Sequence, residues 1–105
     1  MSQDNVTSIL GVVVEEEVEL TLVQLCQACY AEERHVVTWV QEGVLDPVGD
    51  SPHDWRFRGD SLRRACMARR LSHDLEINPP GVALALDLLD EIAALRARLA
   101  RAGIR

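Results

Sequence analysis

The order of elements between residues 20 and 62 constrains the fold of this chain more than any other feature. Thr21 can cap a first helix over residues 21–30, because a threonine hydroxyl accepts a hydrogen bond from the free N–H groups of a first helical turn. Apolar side chains then recur at the i, i+3, i+4, i+7 spacing of one buried helical face: Leu22, Leu25, Cys26 and Cys29. The pattern predicts a short helix packed on a core.

A second short helix is predicted over residues 32–42. Val36 and Val40 share one of its faces, and Trp39 lies beside them. Gly43 follows the last helical position, where a glycine can take the left-handed conformation that ends a helix.

The segment after Gly43 is typical of a short β-hairpin. Asp46-Pro47 and Gly49-Asp50-Ser51-Pro52 favour turns. Trp55-Arg56-Phe57 then predicts a short aromatic strand. Helix, turn, helix and hairpin is the order of a winged helix-turn-helix, a scaffold used to read DNA, and we predict this domain over residues 18–78.

The charge on this scaffold is the opposite of what DNA requires. Residues 31–43 carry one arginine, Arg34, and three carboxylates: Glu32, Glu33 and Glu42. Residues 1–50 hold ten acids against that one arginine, while residues 51–105 hold seven acids against ten arginines. Because phosphate contacts need positive side chains, we predict that DNA binding is weak or absent.

A third helix is predicted over residues 61–75, capped by Asp60 or Ser61. Its core-facing residues are predicted to be Leu62, Ala65, Ala68 and Leu75. Its solvent-facing residues are predicted to be Arg63, Arg64, Arg69 and Arg70. Asn78-Pro79-Pro80-Gly81 then breaks the chain, because a proline fixes its own φ and moves the preceding residue out of the α region.

A long helix follows from Val82 to about Arg101, with acids early and arginines late, as the helix dipole favours. It is apolar on two sides. One stripe can pack on the domain: Val82, Leu86, Leu89 and Ala93. A second stripe steps by three and four residues, like a heptad seam: Ala85, Leu88, Ile92, Leu95, Leu99 and Ala102.

A small domain offers only one surface to a helix that is apolar on two sides. We therefore predict that residues 79–105 form a dimerisation helix in a mainly α-helical homodimer. The predicted interface consists of Leu88, Ile92, Leu95 and Leu99. The alternative is that both stripes fold back onto one core.

The 105 residues, 48% hydrophobic and 27% charged, indicate one globular domain and exclude a disordered chain. The N-terminal residues 1–17 are predicted to form an arm, with an extended or strand segment at Val6 to Val14. The longest apolar run there, Ile9 to Val14, is too short for a signal peptide or a membrane span. We expect a cytoplasmic protein that does not enter membranes.

Three cysteines cannot all pair within one chain, and no disulfide is expected. Cys26 and Cys29 have a CxxC spacing but continue the buried face of the first helix, which favours core cysteines over metal ligands. The three histidines do not form a ligand-spaced cluster. No phosphate loop, nucleotide fingerprint or catalytic arrangement is present, so we expect neither a metal, nor a cofactor, nor an enzyme.

Several runs of this sequence resemble a known family. Three look like the MerR-type winged helix: Trp39-Val-Gln-Glu-Gly-Val-Leu-Asp-Pro47, Trp55-Arg56-Phe57 and Asp60-Ser-Leu-Arg-Arg64. A longer run closely resembles the chaperone-modulator family typified by CbpM: Arg70-Leu-Ser-His-Asp-Leu-Glu-Ile-Asn-Pro-Pro-Gly-Val-Ala-Leu-Ala-Leu-Asp-Leu-Leu-Asp-Glu-Ile92.

The resemblance implies a small bacterial protein that binds the J-domain of a DnaJ-like, CbpA-type co-chaperone and restrains its activity with DnaK. The carboxylates predicted to meet a basic J-domain surface are Glu32, Glu33, Glu42 and Asp46. Trp39 is a candidate interface anchor, because aromatic residues are enriched among binding hot spots. In the alternative interpretation the carboxylates are an ordinary solvated helix face. For Trp39 the sequence allows both an interface anchor and a core residue.

Two other classes of function remain open. One is a MerR-like transcriptional regulator, whose phosphate contacts would be Arg56, Arg58, Arg63 and Arg64. Arg34 and His35 would then face the bases. The other is a dimeric adaptor with a different partner.

The turn between the first two helices departs from the DNA-reading pattern. Tyr30 stands where these turns usually carry a glycine, and Ala31 and Glu32 replace the usual serine or threonine cap. Because a bulky residue disfavours positive φ, we predict a non-standard turn.

Overall fold

The computed structural model describes residues 19–103, so the predicted N-terminal arm of residues 1–17 lies outside the described residues. Within this part of the chain four α-helices surround one core. They are α1 (Leu22–Cys29), α2 (Glu33–Gln41), α3 (Gly59–Asp74) and α4 (Pro79–Arg101). Helix α3 packs against α1 and α4, and α2 also packs against both of these helices.

Helix α1 begins as the sequence predicts. The Thr21 hydroxyl accepts a hydrogen bond from the Gln24 N–H at 3.2 Å, and the Gln24 side-chain oxygen accepts one from the Thr21 N–H at 2.9 Å. This reciprocal pair satisfies two backbone donors at the start of the helix. The four predicted core residues of α1 are all buried: Leu22, Leu25, Cys26 and Cys29.

The turn between α1 and α2 corrects the prediction for Tyr30. Tyr30 takes the left-handed conformation, with φ 59° and ψ 40°, which is the geometry that a glycine would supply. Three contacts offset the strain: the N–H groups of Tyr30 and Ala31 donate to the Cys26 carbonyl, and Arg69 Nε donates to the Tyr30 carbonyl at 2.8 Å. As predicted, no serine or threonine caps α2, and Glu32 at the cap position makes no side-chain capping bond.

The predicted β-hairpin is not formed, and within residues 19–103 two isolated bridges take its place. Arg56 exchanges backbone hydrogen bonds with Val48, at 2.9 and 3.1 Å, and Phe57 exchanges them with Leu20, at 2.7 and 2.8 Å. The pairing with Val48 cannot extend, because Pro47 has no N–H and Gly49 turns the chain at φ 126°. The Trp55-Arg56-Phe57 segment therefore pairs with Leu20 and Val48 through single bridges and does not extend into a β-ladder.

Helix α3 differs from its predicted boundaries at both ends. It begins at Gly59 with Arg58 in the cap position, two residues before the predicted start, and it ends at Asp74. Leu62, Ala65 and Ala68 are buried as predicted, but Leu75 is 65% exposed. Leu75 follows the last helical residue, and Glu76 then turns the chain at φ 54°, so Ile77 packs against the core in its place.

Two arginines of α3 that were predicted to face solvent are partly buried. Arg64 donates from Nε to the Val44 carbonyl at 2.8 Å, and its head group pairs with Asp87, at 3.6 Å, and with Asp90 on α4. Arg69 reaches the Tyr30 carbonyl, as described above. Both side chains therefore tie α3 to neighbouring segments, whereas Arg63 and Arg70 are exposed as predicted.

Helix α4 starts at Pro79, where the Asn78 side chain accepts a hydrogen bond from the Gly81 N–H at 2.8 Å. Val82 and Leu86 are buried as predicted. Leu89 and Ala93 are exposed, which contradicts their predicted packing, because the buried face of α4 ends at Leu86 and every described residue after it is exposed to solvent.

No helix in the described range is long and apolar enough to cross a membrane.

Candidate functional site

The outer half of α4 carries the largest exposed apolar surface in the described chain. We call its four residues the seam: Leu88, Ile92, Leu95 and Leu99. Each is between 44% and 55% exposed, so the alternative in which this stripe folds back onto the chain's own core is not what the structure shows. A monomer rarely leaves such a continuous apolar row in water.

The four predicted acidic residues lie at the two ends of α2. Glu32 and Glu33 stand at its start, Glu42 and Asp46 at or after its end, and all four are exposed. With a rise of 1.5 Å and a turn of 100° per residue, Glu33 and Glu42 are about 13 Å apart along the axis and on opposite sides of it. The structure thus divides these residues into an N-terminal pair and a C-terminal pair.

Both acidic pairs remain negatively charged at the surface. Arg34 Nε pairs with Glu32 at 2.8 Å, but both side chains are well exposed, and such pairs contribute little. Within residues 19–103 no ion pair neutralises Glu33, Glu42 or Asp46. A basic partner surface would therefore meet uncompensated charge at either end of α2.

Asp46 lines an open cleft of about 390 Å³ between the 44–46 segment and the start of α3. Its charged lining is mixed, with Arg58 and Arg64 facing Asp46 and Asp60. Arg64 is already held by Val44 and α4. The cleft therefore does not present a single sign of charge to a ligand.

Trp39 lies in the core. It is 2% exposed and stacks on the exposed ring of His35, with ring centroids 6.5 Å apart. Trp55 and Phe57 are also buried and meet edge to face, with centroids 6.0 Å apart. A side chain buried to this degree contacts a partner only if the domain opens, so the structure favours the core interpretation of Trp39.

The residues of the DNA-reading alternative are only partly available. Arg56, Arg58 and Arg63 are exposed, but Arg64 is engaged within the domain and Arg34 is paired with Glu32. His35 is exposed beside Thr38. The basic residues therefore flank the helix-turn-helix, while carboxylates occupy the ends of its second helix.

All three cysteines lie in or against the core. Cys26 and Cys29 are buried core residues, as predicted, and Cys66 on α3 is partly exposed. Cys29 lowers the pKa of the Cys66 thiol to about 7, and the positive charges of Arg70 and Arg69 add to this effect, against an opposing contribution from burial. Among the described residues, no group of three or more histidine, cysteine or acidic side chains could hold a metal.

The sequence of this chain is similar to those of regulatory and modulatory proteins. Residues 20–102 match the model of the family described as MerR HTH family regulatory protein. The chain is 40% identical over 91 residues to the chaperone modulatory protein CbpM of Coxiella burnetii strain Dugway 5J108-111, covering 87% of this chain and 86% of that protein. It is 38% identical over 79 residues to the protein of the same name in Pseudomonas putida strain W619, covering 75% and 78%. These relatives are named as modulatory or regulatory proteins and not as enzymes.

Proposed function

The chain belongs to the MerR helix-turn-helix family and to the CbpM chaperone modulatory proteins, and from this membership we propose that it modulates a chaperone. Its target is the J-domain of a DnaJ-like, CbpA-type co-chaperone. By occupying the J-domain surface that DnaK needs, it inhibits the activity of that co-chaperone with DnaK. The 40% identity to a chaperone modulatory protein over most of both chains is the observation that carries this proposal.

The exposed carboxylates at the ends of α2 support the proposed partner. Opposite charge across an interface raises the rate of encounter and fixes orientation, and it changes affinity less. A basic J-domain would be attracted by both the pair Glu32 and Glu33 and the pair Glu42 and Asp46. The mode of action is steric, because binding needs no chemical step.

We expect the acidic pairs to control the rate of association. Reversal of Glu32, Glu33, Glu42 and Asp46 to lysine should slow association with a cognate J-domain by at least about tenfold and flatten its salt dependence, because electrostatic steering is lost. Stopped-flow or surface-based kinetics at several salt concentrations measure both quantities.

Each acidic pair is then reversed alone to find which end of α2 meets the partner. The matched control is Asp50→Lys with Glu76→Lys, two exposed acids outside α2, which should change the rate far less. An unchanged rate and salt slope in the fourfold reversal, with unchanged circular dichroism, would move the interface away from α2.

The same proposal includes a homodimer that forms through the seam. Glu91 and Arg98 immediately precede Ile92 and Leu99, the flanking positions of a heptad seam, and they carry opposite charges. A second copy could therefore cover the apolar row and pair these charges across it.

A MerR-like DNA-binding regulator is the second candidate function. It is favoured by the family match and by Tyr30, whose left-handed φ preserves the geometry of a helix-turn-helix turn. It is disfavoured by the carboxylates on α2, which would face phosphates of like charge.

We expect DNA binding to be absent or weaker than about micromolar, even at low salt, where non-specific contacts are strongest. A gel-shift assay against genomic fragments, repeated at two salt concentrations, measures it. Sequence-selective binding tighter than this range would instead establish the regulator, and Arg58→Ala should then weaken it.

A further inference from the structure

A crevice lies between α2 and the turn that joins α3 to α4. Its volume is about 240 Å³ and most of its wall is apolar. Small-molecule sites are usually larger, at about 300–1,000 Å³, whereas a cavity of about 150 Å³ already holds a benzene ring. The crevice therefore has the size for one large apolar side chain. Six residues line it: His35, Thr38, Trp39, Ser72, Ile77 and Pro79.

The crevice is built into the packing of the domain. Trp39, a core residue, forms its floor, and the exposed ring of His35 stacks on Trp39 and forms one wall. On the facing wall the Ile77 N–H donates to the Leu71 carbonyl at 3.2 Å. A Cβ atom at position 81 would lie 2.6 Å from Ile77 Cγ2, so Gly81 leaves the space that Ile77 occupies. A side chain can therefore enter beside His35 without any opening of the core.

Two of the four acidic residues lie on the face of α2 that borders the crevice. At about 100° per residue, Glu32 and Glu42 fall within about 60° of His35 around the helix axis, whereas Glu33 falls about 160° away. Along the axis Glu32 precedes His35 by about 4.5 Å, and Glu42 follows it by about 10.5 Å. Both carboxylates are exposed. The mouth of the crevice thus lies between two negative charges.

We propose that this crevice receives one large apolar side chain from the basic surface of the partner, while Glu32 and Glu42 pair with basic residues on either side of that side chain. The inference rests on the proposed function, which takes the partner to be a J-domain. Charge decides the occupant, because an acidic segment would bring like charges to both ends of the crevice. An apolar anchor in a pocket with a polar rim is typical of a binding hot spot.

The apolar anchor and the carboxylates act on different rate constants. The charges of Glu32 and Glu42 attract the partner before contact and therefore act mainly on association. An anchor side chain is buried only after contact, so its loss acts mainly on dissociation. The crevice can therefore be tested separately from the acidic residues.

Ser72→Trp tests the anchor, because Ser72 is a half-buried residue of the crevice wall and an indole at this position would fill the crevice from within. We expect this variant to dissociate from the J-domain of the CbpA-type co-chaperone of the same organism at least about tenfold faster, with the salt dependence of association unchanged. Two controls should change the dissociation rate less than about twofold. Ser72→Ala keeps the crevice open, and Val23→Trp adds the same indole at an exposed site on α1. Surface plasmon resonance measures both rates.

Glu42→Lys and Glu33→Lys form a matched pair for the charges beside the crevice. They make the same charge change, one on the crevice side of α2 and the other on the opposite side. We expect association with the same J-domain to slow at least about threefold more in Glu42→Lys than in Glu33→Lys. Equal association rates for the two variants would overturn the placement of the partner across the crevice.

His35 reports occupancy of the crevice in the unsubstituted protein, so the test does not depend on the folding of Ser72→Trp. Its imidazole proton resonances should shift when the J-domain is added, whereas those of His53, which does not line the crevice, should not. A protein that binds no J-domain would overturn the proposed function together with this inference. Binding with unshifted His35 resonances, or a Ser72→Trp complex as long-lived as the native one, would overturn the crevice inference alone. A Ser72→Trp variant that loses the dimer mass would assign the crevice to a second copy instead.

Discussion

The double variant Ile92→Glu, Leu95→Glu is expected to halve the mass of the protein in solution, from about twice 11.7 kDa to 11.7 kDa. Both side chains lie at the centre of the seam and are about half exposed in the single chain. Burial of the half of each side chain that is still exposed contributes about 1 kcal/mol against a second copy, and two glutamates on each copy would place like charges together in that apolar contact. Static light scattering measures the mass directly.

The matched control is Val23→Glu with Leu75→Glu, two exposed apolar residues outside α4. It adds the same charge and should leave the mass of the dimer unchanged. A native protein that is already monomeric, or a seam variant that keeps the dimer mass, would show that the apolar row serves another partner.

Trp39→Ala is expected to lower the free energy of unfolding by about 3–5 kcal/mol, a large part of the roughly 5–15 kcal/mol that stabilises a domain of ordinary size. The reason is its burial, because the substitution leaves a cavity between α2 and the rest of the core. Urea unfolding followed by circular dichroism measures the loss.

His35→Ala is the control for this prediction, since it removes the exposed ring that stacks on Trp39 and should cost about 1 kcal/mol or less. If Trp39→Ala instead changed stability by less than about 1 kcal/mol and abolished J-domain binding, Trp39 would be an interface anchor after all.

The helices and most of the core were predictable from the sequence because their signals are local. Thr21 caps α1 as predicted, through a side-chain bond to the residue three positions later. Asn78 does the same for α4, which therefore begins at Pro79, three residues before its predicted start at Val82 and within the predicted chain break. Gly43 takes a left-handed φ of 80° just after α2. The apolar spacing of α1 also marks the buried residues correctly.

The structural predictions were wrong where contacts between distant parts of the chain override the local conformational preference of a residue. Arg69, 39 residues later in the chain, bonds to the Tyr30 carbonyl and is one of the three contacts that support the positive φ of Tyr30. Arg64 looks like a solvent-facing residue of α3, but its partners lie on the 44–46 segment and on α4. No pattern of near neighbours contains either contact.

The candidate site was predictable as a set of exposed carboxylates, but its arrangement was not. In the sequence, residues 32–46 look like one acidic region. In the structure, Glu33 and Glu42 lie on opposite sides of the α2 axis, half a revolution apart. The packing of α1 against α3 is also a tertiary feature, which one sequence does not specify.

Arg64 also pairs with α4 at the point where this helix leaves the domain. After Leu86 every described residue of the helix is exposed, and Asp87 and Asp90 pair with this one guanidinium. These pairs are too exposed to add much stability, but they lie at the base of a projecting helical segment about 21 Å long, from Asp87 to Arg101. A rotation of about 10° at that base moves the tip by about 4 Å. The direction of α4 at this point would thus set the spacing at which a dimer holds its two domains.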